Sequence, residues 1–187
     1  MGLVLAFASL SRFRPLAWFA RVYVEVLRNV PILLWTYIVY YCLPFAGITF
    51  LNNILSFILA LSLYAGAYLT EVFRSGLGTL PARYGEAAKS LGLTSWQRLT
   101  LITLPLVFSI TLPALSNNFI SLFKDTSISS AIAVPELTFA ADYVNTNTFR
   151  VIEVWGVVGA LYLVVGYGLA VGLRAIERHL AWESRGV

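Results

Sequence analysis

Hydrophobic and polar positions divide the chain into long charge-free stretches separated by charged segments. The charge-free stretches run over 1–11, 29–70, 99–123 and 154–173. A helix needs about 20 apolar residues to cross the roughly 30 Å hydrocarbon core of a bilayer. The stretch 29–70 is twice that length and contains turn residues between 44 and 53, so it predicts two helices joined by a short connection. The pattern therefore predicts four full membrane spans.

We accordingly expect an all-α integral membrane protein with one transmembrane domain over 1–187. The segment 1–11 is too short to cross a bilayer alone and lacks the basic start of a signal peptide. We interpret it as the end of a span whose beginning is missing or unusually short. The predicted spans lie at roughly 1–11 (partial), 30–45, 53–71, 104–123 and 151–173.

Composition supports a membrane protein and excludes several other classes. Hydrophobic residues make up 59% of the chain and charged residues 12%, against about 25% charged in an average soluble domain. A disordered chain needs low hydrophobicity and high charge, which this chain lacks. Cys42 and His179 are the single cysteine and the single histidine. The sequence therefore predicts no disulfide framework, zinc site or catalytic residue pair.

The distribution of positive charge predicts the orientation of the spans. If the loop 74–103 is cytoplasmic, eleven of the 13 lysines and arginines lie on that side, as the positive-inside rule requires. Only Lys124 and Arg150 then lie outside, and the C-terminus is cytoplasmic. This bias accounts for the basic pI of 9.4 without nucleic-acid binding. The eleven are Arg12, Arg14, Arg21, Arg28, Arg74, Arg83, Lys89, Arg98, Arg174, Arg178 and Arg185.

The loop 74–103 is predicted to contain a short helix, a turn and the start of a second helix. Ala87 and Ala88 give the first helix a small-residue face. Gly92 follows the last apolar position, where a left-handed cap is expected. Thr94 with Gln97 three residues later forms a capping box that begins the next helix. Such a helix suits docking into a groove on another protein, but an amphipathic loop lying on the bilayer surface is equally compatible with the pattern.

A dense polar group follows the span 104–123. Charges near the membrane interior are costly and usually face a cavity or a partner charge. Lys124 beside Asp125 offers a cation and an anion to a zwitterionic amino acid. Alternatively, this pair marks the water interface, with Thr126 or Ser127 capping the next helix. The group comprises Asn117, Asn118, Lys124, Asp125, Thr126 and Ser127.

Two further patterns admit more than one interpretation. Glu71 and Arg74 are three residues apart at the end of a span, where they predict a local ion pair or a gate. Gly168 and Gly172 have the four-residue spacing that permits close helix crossing. The crossing partner is another span of this chain or a second subunit.

Several segments resemble ABC importer permeases. Glu86-Ala87-Ala88, Gly92, Ile102 and Leu104-Pro105 occupy the fixed positions of the EAA motif at the motif's spacing. Three more segments resemble the polar amino acid subfamily, whose members include histidine-, glutamine- and arginine-type permeases. They are Tyr23–Pro31, Ala67–Arg74 and the Lys-Asp-Thr-Ser motif within Leu122–Ser127.

The resemblance implies an ATP-driven importer with about five transmembrane helices. The EAA segment would form a cytoplasmic coupling helix seated in a cleft of an ATPase. Glu86 would make polar contacts there, Ala87 and Ala88 would permit close approach, and Gly92 would set the turn. The group 117–127 would line the path of a polar amino acid moved by alternating access.

The resemblance also implies the partners. They are an ABC ATPase dimer, a second permease subunit that is the same or a homologous chain, an extracytoplasmic solute-binding protein and membrane lipid. The assembly would lie in the bacterial cytoplasmic (inner) membrane. The chain has no Gly-x-x-x-x-Gly-Lys-Ser/Thr pattern, so ATP and Mg²⁺ are expected on the ATPase, and this chain is expected to need no cofactor.

Two other functions compete with the importer. One is a non-transporting membrane scaffold that anchors a cytoplasmic partner through the loop at Glu86. The other is a secondary transporter, which is less favoured because such proteins usually carry inverted repeats in one chain. No internal repeat is evident in this sequence.

Overall fold

The computed structural model describes residues 1–183, with side chains described through Arg178. The predictions made for His179 and Arg185 therefore concern residues whose side chains are not described. Within the described residues the fold is helical and has no strands, which confirms the predicted class. The helices are α1 (Gly2–Ser9), α2 (Arg14–Asn29), α3 (Ile32–Phe45), α4 (Asn53–Thr79), α5 (Ala82–Ser90), α6 (Ser95–Ile132), α7 (Leu137–Thr148) and α8 (Val151–Glu183).

Three of these helices are long and apolar enough to cross a membrane, namely α4, α6 and α8. The bent pair of α2 and α3 provides a fourth candidate span. α6 begins beside α5 and runs to the opposite side of the molecule. We call the side that carries α5 the loop side and the opposite side the far side.

The chain bends sharply between α2 and α3. Val30 is extended, with φ −107° and ψ 131°, as steric conflict with a following proline favours. Pro31 has no N–H to continue the hydrogen-bond ladder of α2. The helix is therefore interrupted at Pro31, and the axes of α2 and α3 differ by 103°.

α4 is the central helix, and α1, α2, α3 and α6 pack around it. The buried core joins Ala6 of α1, Phe73 of α4 and Val107 of α6. Gly76 of α4 lies directly against the Thr111 side chain of α6, so only a glycine leaves room for this approach. α4 continues to Thr79, past the predicted end near 71, and its first charges, Glu71 and Arg74, pair on the helix surface.

α8 lies at the periphery and is largely exposed. Only 11% of the residues in its most apolar 18-residue stretch are buried inside the protein. No atom of the described residues lies within 4 Å of the Cβ positions that substitution of Gly168 or Gly172 would create. Among the spans described here, therefore, none makes the close crossing that these two glycines permit.

Candidate functional site

The turn after α5 is set by two backbone hydrogen bonds. The Gly92 N–H donates to the Lys89 carbonyl at 2.9 Å, and the Leu93 N–H donates to the Ala88 carbonyl at 3.0 Å. This pairing is the Schellman motif, which needs a left-handed residue after the helix. Gly92 has φ +72°, which confirms the predicted left-handed cap.

A second cap follows at once and begins α6. The Gln97 N–H donates to Thr94 Oγ1 at 3.3 Å, and the Thr94 N–H donates to Gln97 Oε1 at 2.9 Å. The predicted capping box is therefore confirmed. Because the end of α5 and the start of α6 are both hydrogen-bonded, the direction of α5 relative to α6 is defined by the local chain.

The two alanines of the motif have different surroundings. Glu86 and Ala87 are exposed, whereas Ala88 is only 1% exposed and is buried within its own chain. Ala87 is therefore the open alanine of the two, and the close approach to a partner at Ala87 and Ala88 stays a prediction. Two large apolar side chains nearby are open, Leu91 at 77% and Trp96 at 71% exposure. The loop thus presents an outward surface formed by Glu86, Ala87, Leu91 and Trp96.

The polar segment at the other end of α6 lies well inside the far end of the bundle. Residues Thr126–Ile132 form a 3₁₀ continuation of the helix. At about 2 Å per residue, Asp125 lies about 14 Å along the axis from Ile132. The side chain of Asn53, at the far end of α4, donates to the Ala133 carbonyl at 2.8 Å. Lys124 and Asp125 are therefore level with the interior of α4 rather than with its end.

The hydroxyl groups of this segment bond back to their own helix. Thr126 Oγ1 donates to the Phe123 carbonyl at 2.6 Å, and Ser127 Oγ donates to the Lys124 carbonyl at 2.8 Å. Ser129 and Ser130 repeat the pattern three residues on. These bonds give each hydroxyl an acceptor within its own helix turn. Neither Thr126 nor Ser127 caps a new helix, so the predicted cap is wrong, while the position of Lys124 and Asp125 at the water interface stays a prediction.

Lys124 and Asp125 point to different neighbours. Consecutive residues of a helix are about 100° apart, whereas residues seven apart share a face. Asp125 shares its face with Asn118 and Thr111, and Thr111 packs against α4. Lys124 instead lines a cavity of about 330 Å³ with Ser127 and with Tyr162 of α8. The two charges therefore lie on different faces of α6, and their joint action on one ligand stays a prediction.

The face that carries Asp125 meets a group of aromatic and charged residues. The Tyr64 hydroxyl lies within electrostatic range of both Asp125 and Arg28. Tyr64 donates a hydrogen bond to the Tyr68 hydroxyl at 3.0 Å. The Arg28 guanidinium lies 5.1 Å from the centre of the Tyr68 ring, within cation–π range. We call Arg28, Tyr64, Tyr68 and Asp125 the tyrosine cluster.

Sequence reasoning missed the residues that surround Lys124. Glu136 accepts hydrogen bonds from the Thr138 and Phe139 N–H groups at the start of α7, at 2.8 and 2.7 Å. The Tyr162 hydroxyl donates to Glu136 Oε2 at 3.1 Å. This bond joins α7 to α8 across 26 residues of chain. Glutamate is not among the residues usually preferred at an N-cap, and the bond from Tyr162 depends on tertiary packing, so no clear sequence signal marks either role.

The two asparagines also separate. Asn117 lines a cavity of about 320 Å³ with Arg174 and Glu177 of α8. Asn118 is half-buried, and its side-chain amide donates to the Ala114 carbonyl at 2.8 Å. Asn117 and Lys124 thus belong to the α8 face of α6, and Asn118 and Asp125 to the α4 face.

An ion cluster lies where α2 meets the loop-side half of α4. Arg74 Nε donates to Glu71 Oε2 at 2.9 Å, and a second Arg74 nitrogen contacts the other carboxylate oxygen. Arg28 Nη1 lies 4.0 Å from the same carboxylate. The predicted local ion pair of Glu71 and Arg74 is confirmed, and Arg28 extends it to a second helix.

Comparison with known proteins adds sequence relatives to this geometry. The chain matches the family described as "Binding-protein-dependent transport system inner membrane component" over residues 1–180. It is 35% identical over 180 residues to the probable glutamine ABC transporter permease protein GlnM of Bacillus subtilis (strain 168), covering 96% of this chain and 83% of that protein. It is 32% identical over 162 residues to the glutamine transport system permease protein GlnP of Escherichia coli (strain K12), covering 86% and 74%.

Solved structures share the fold. A crystal structure of an amino acid ABC transporter with histidines has a TM-score of 0.87 and 30% identity, covering 95% of this chain and 83% of that one. An inward-facing structure of the MetNI methionine ABC transporter has a TM-score of 0.76 at 16% identity, covering 96% and 83%, and this likeness concerns the fold alone.

The helical fold, the apolar spans and the EAA pattern define a multi-pass membrane permease of the ABC transporter class. The chain belongs to the family of binding-protein-dependent transport system inner membrane components. The resemblance drawn from Glu86–Gly92 and the Lys-Asp-Thr-Ser motif is thereby confirmed at the level of the family.

Proposed function

We propose that this chain is the membrane-spanning subunit of an ATP-driven importer for a polar amino acid. Its relatives carry names of amino acid permeases, and the structure of similar fold at 30% identity is an amino acid transporter. In this proposal the chain works with a second permease subunit, two ATPase subunits and an extracytoplasmic solute-binding protein. ATP and Mg²⁺ belong to the ATPase, and the loop side faces the cytoplasm, as does the C-terminus.

The surface of Glu86, Ala87, Leu91 and Trp96 is the proposed contact with the ATPase. The single observation that carries this assignment is the pair of consecutive caps at Gly92 and Thr94. They hold a short, small-faced helix in one direction outside the membrane, with its polar and apolar side chains exposed. Exposed apolar side chains of this size mark interaction sites.

α6 offers the means of coupling this contact to the membrane path. It is one helix of 38 residues from the capping box to Ile132. A displacement of α5 therefore acts on the helix that carries Asn118 and Asp125. In the proposed mechanism, closure of the ATPase pair moves the coupling helices, and the cavity between permease subunits alternates between the two sides of the membrane.

The tyrosine cluster is the proposed stretch of the amino acid path. Asp125 supplies an anion for the substrate ammonium, Arg28 a cation for its carboxylate, and Tyr64 and Tyr68 hydrogen-bonding hydroxyls between them. The other polar residues of this group then lie beside the path. Asn117 and Lys124 are on the α8 side, and Thr126 and Ser127 are in the 3₁₀ segment.

Reconstitution with the cognate ATPase and binding protein tests the proposal. In proteoliposomes, ATP inside and binding protein outside should drive uptake of the amino acid that the binding protein retains. Gly92→Asp should abolish uptake and weaken ATPase association, because an Asp in a left-handed turn costs about 1 kcal/mol or more and adds charge at the contact. Gly85→Ala, on the same helix and with open space around it, should behave as wild type.

Two outcomes would overturn the proposal. Association and uptake that are unaffected by Gly92→Asp would remove α5 from coupling. A complex that binds the ATPase but shows no ATP-driven uptake with any amino acid would leave the scaffold function in its place.

A further inference from the structure

A partly enclosed cavity of about 450 Å³ lies between α1, α2 and α4 on the loop side. It shares no lining residue with the tyrosine cluster or with the exposed surface of α5, although its Glu71 lies 4.0 Å from Arg28 of that cluster. Its charged lining consists of two arginines and two glutamates, so the formal charge of the lining is zero. These four residues are Arg21, Glu25, Glu71 and Arg74.

Arg21 and Glu25, two of these charged residues, do not form an ion pair with each other. Arg21 and Glu25 are four apart on α2, a spacing that usually permits an ion pair. Among the described side chains, however, the ion pairs are Arg28–Glu71, Arg74–Glu71 and Arg150–Glu153. Arg21 makes one long bond, from Nη2 to the Ser9 carbonyl at 3.4 Å. Glu25 accepts one side-chain bond, from Asn29 at 3.0 Å.

The surroundings of α2 place this cavity at the membrane surface. α2 buries Ala20 and Val24 against the chain, and exposes Phe19 at 60% and Val26 at 46% on a different face. Its charged residues occupy a third face. A helix with an apolar face and a charged face, bent by 103° from the span that follows, has the character of a helix lying in the bilayer interface. The cavity then opens at the depth of lipid headgroups.

We propose that this cavity binds the headgroup of phosphatidylethanolamine. The phosphate pairs with Arg21 and with Nη1 of Arg74, the one guanidinium nitrogen that Glu71 leaves free, since arginine matches phosphate geometry. The primary ammonium donates to Glu25. A headgroup of this kind is a zwitterion, which matches a lining of zero formal charge better than an anionic lipid does. Phosphatidylcholine has the same charges, but its trimethylammonium has no N–H to donate.

Lipid retention by the purified complex tests this proposal without reference to transport. The complex is placed in nanodiscs of phosphatidylglycerol mixed with either phosphatidylethanolamine or phosphatidylcholine, and co-purifying lipid is counted by native mass spectrometry. We expect at least five-fold preferential retention of phosphatidylethanolamine. Glu25→Gln should remove that preference, whereas Arg21→Gln should lower the retention of both lipids, because both carry the phosphate. Arg14→Gln, on the same helix but outside the cavity lining, should keep it.

The outcomes are distinguishable. Equal retention of the two lipids by the wild-type complex would overturn the proposal even if no variant could be purified. Displacement of the bound lipid by millimolar free glutamine would also overturn it, because the cavity would then be a site for a soluble amino acid. Loss of preference in Arg14→Gln as well would show a general charge effect rather than a headgroup site.

Discussion

The two ends of α6 are built by different kinds of interaction. At the loop end, Thr94 and Gln97 bond to each other, and Gly92 bonds to Lys89, all within a few residues of chain. At the far end, Asn53 reaches Ala133 across 80 residues. The loop end is therefore defined locally, and the far end depends on how distant helices meet. A segment whose shape is held by bonds between near neighbours can keep that shape under force from a partner. A segment held by packing between distant helices can switch between two arrangements of those helices.

The largest expected effect is the loss of uptake when the charge of Asp125, at the far end of α6, is removed. Asp125→Asn should lower uptake about 10- to 100-fold, because a hydrogen bond to a charged group contributes about 1.5–3 kcal/mol. Lys124→Gln should have a smaller effect, because Lys124 is exposed on the α8 face. Initial uptake rates in proteoliposomes measure both. Equal losses in the two variants would mean that the two faces of α6 act as one site.

A second comparison lies within the loop end. Ala88→Leu should destabilise the subunit by about 1–3 kcal/mol, since it overfills a packed position. Ala87→Leu should leave stability unchanged, because Ala87 is exposed. Thermal unfolding of the purified subunit in detergent separates the two variants. Comparable melting temperatures would contradict the burial of Ala88.

The bond between Glu136 and Tyr162 tests whether the far end depends on distant packing. Tyr162→Phe removes the hydroxyl that joins α7 to α8, and should lower stability by about 1 kcal/mol. Tyr167→Phe is the matched control, because Tyr167 is on the same helix and is 66% exposed. Hydrogen exchange of α7 provides the readout. Unchanged protection of α7 in Tyr162→Phe would show that the bond does not hold that helix.

The smallest effect is expected from the capping box. Thr94→Ala should cost about 0.5–1 kcal/mol of local stability, as loss of an exposed N-cap usually does. Ser75→Ala, at an exposed position inside α4, serves as control. Proteolytic cleavage within the loop, measured over time, should accelerate only in Thr94→Ala. Acceleration in both would indicate a general rather than a local change.

Locally defined features were the predictable ones. The cap at Gly92 and the box at Thr94 depend on residues three to five apart, so the sequence alone indicates them. The membrane class followed equally from the charge-free stretches. Adjacency in sequence does not place Lys124 and Asp125 on one face, because neighbouring residues of a helix face different directions. Glu136 and Tyr162 meet through tertiary packing, so no local pattern joins them.

The bend before α3 and the length of α6 were predictable only in part from the sequence. Pro31 indicates a break, but the 103° angle follows from packing of α2 on α4, including the Tyr23 hydroxyl bond to the Leu63 carbonyl at 2.7 Å. The hydroxyl-rich run after Asp125 resembled a cap. In the structure it continues the helix, because each hydroxyl bonds back three residues.

Site-directed photo-crosslinking tests the central claim, that α5 is the contact through which a separate ATPase acts on this subunit. The variants Ala87→Cys and Ala88→Cys are made in a Cys42→Ser background, labelled with a maleimide benzophenone and irradiated in the complex with its ATPase. We predict a crosslink to the ATPase from position 87, strengthened or weakened by ATP, and little from the buried position 88. An uptake-competent complex that gives no crosslink from position 87 would contradict the account.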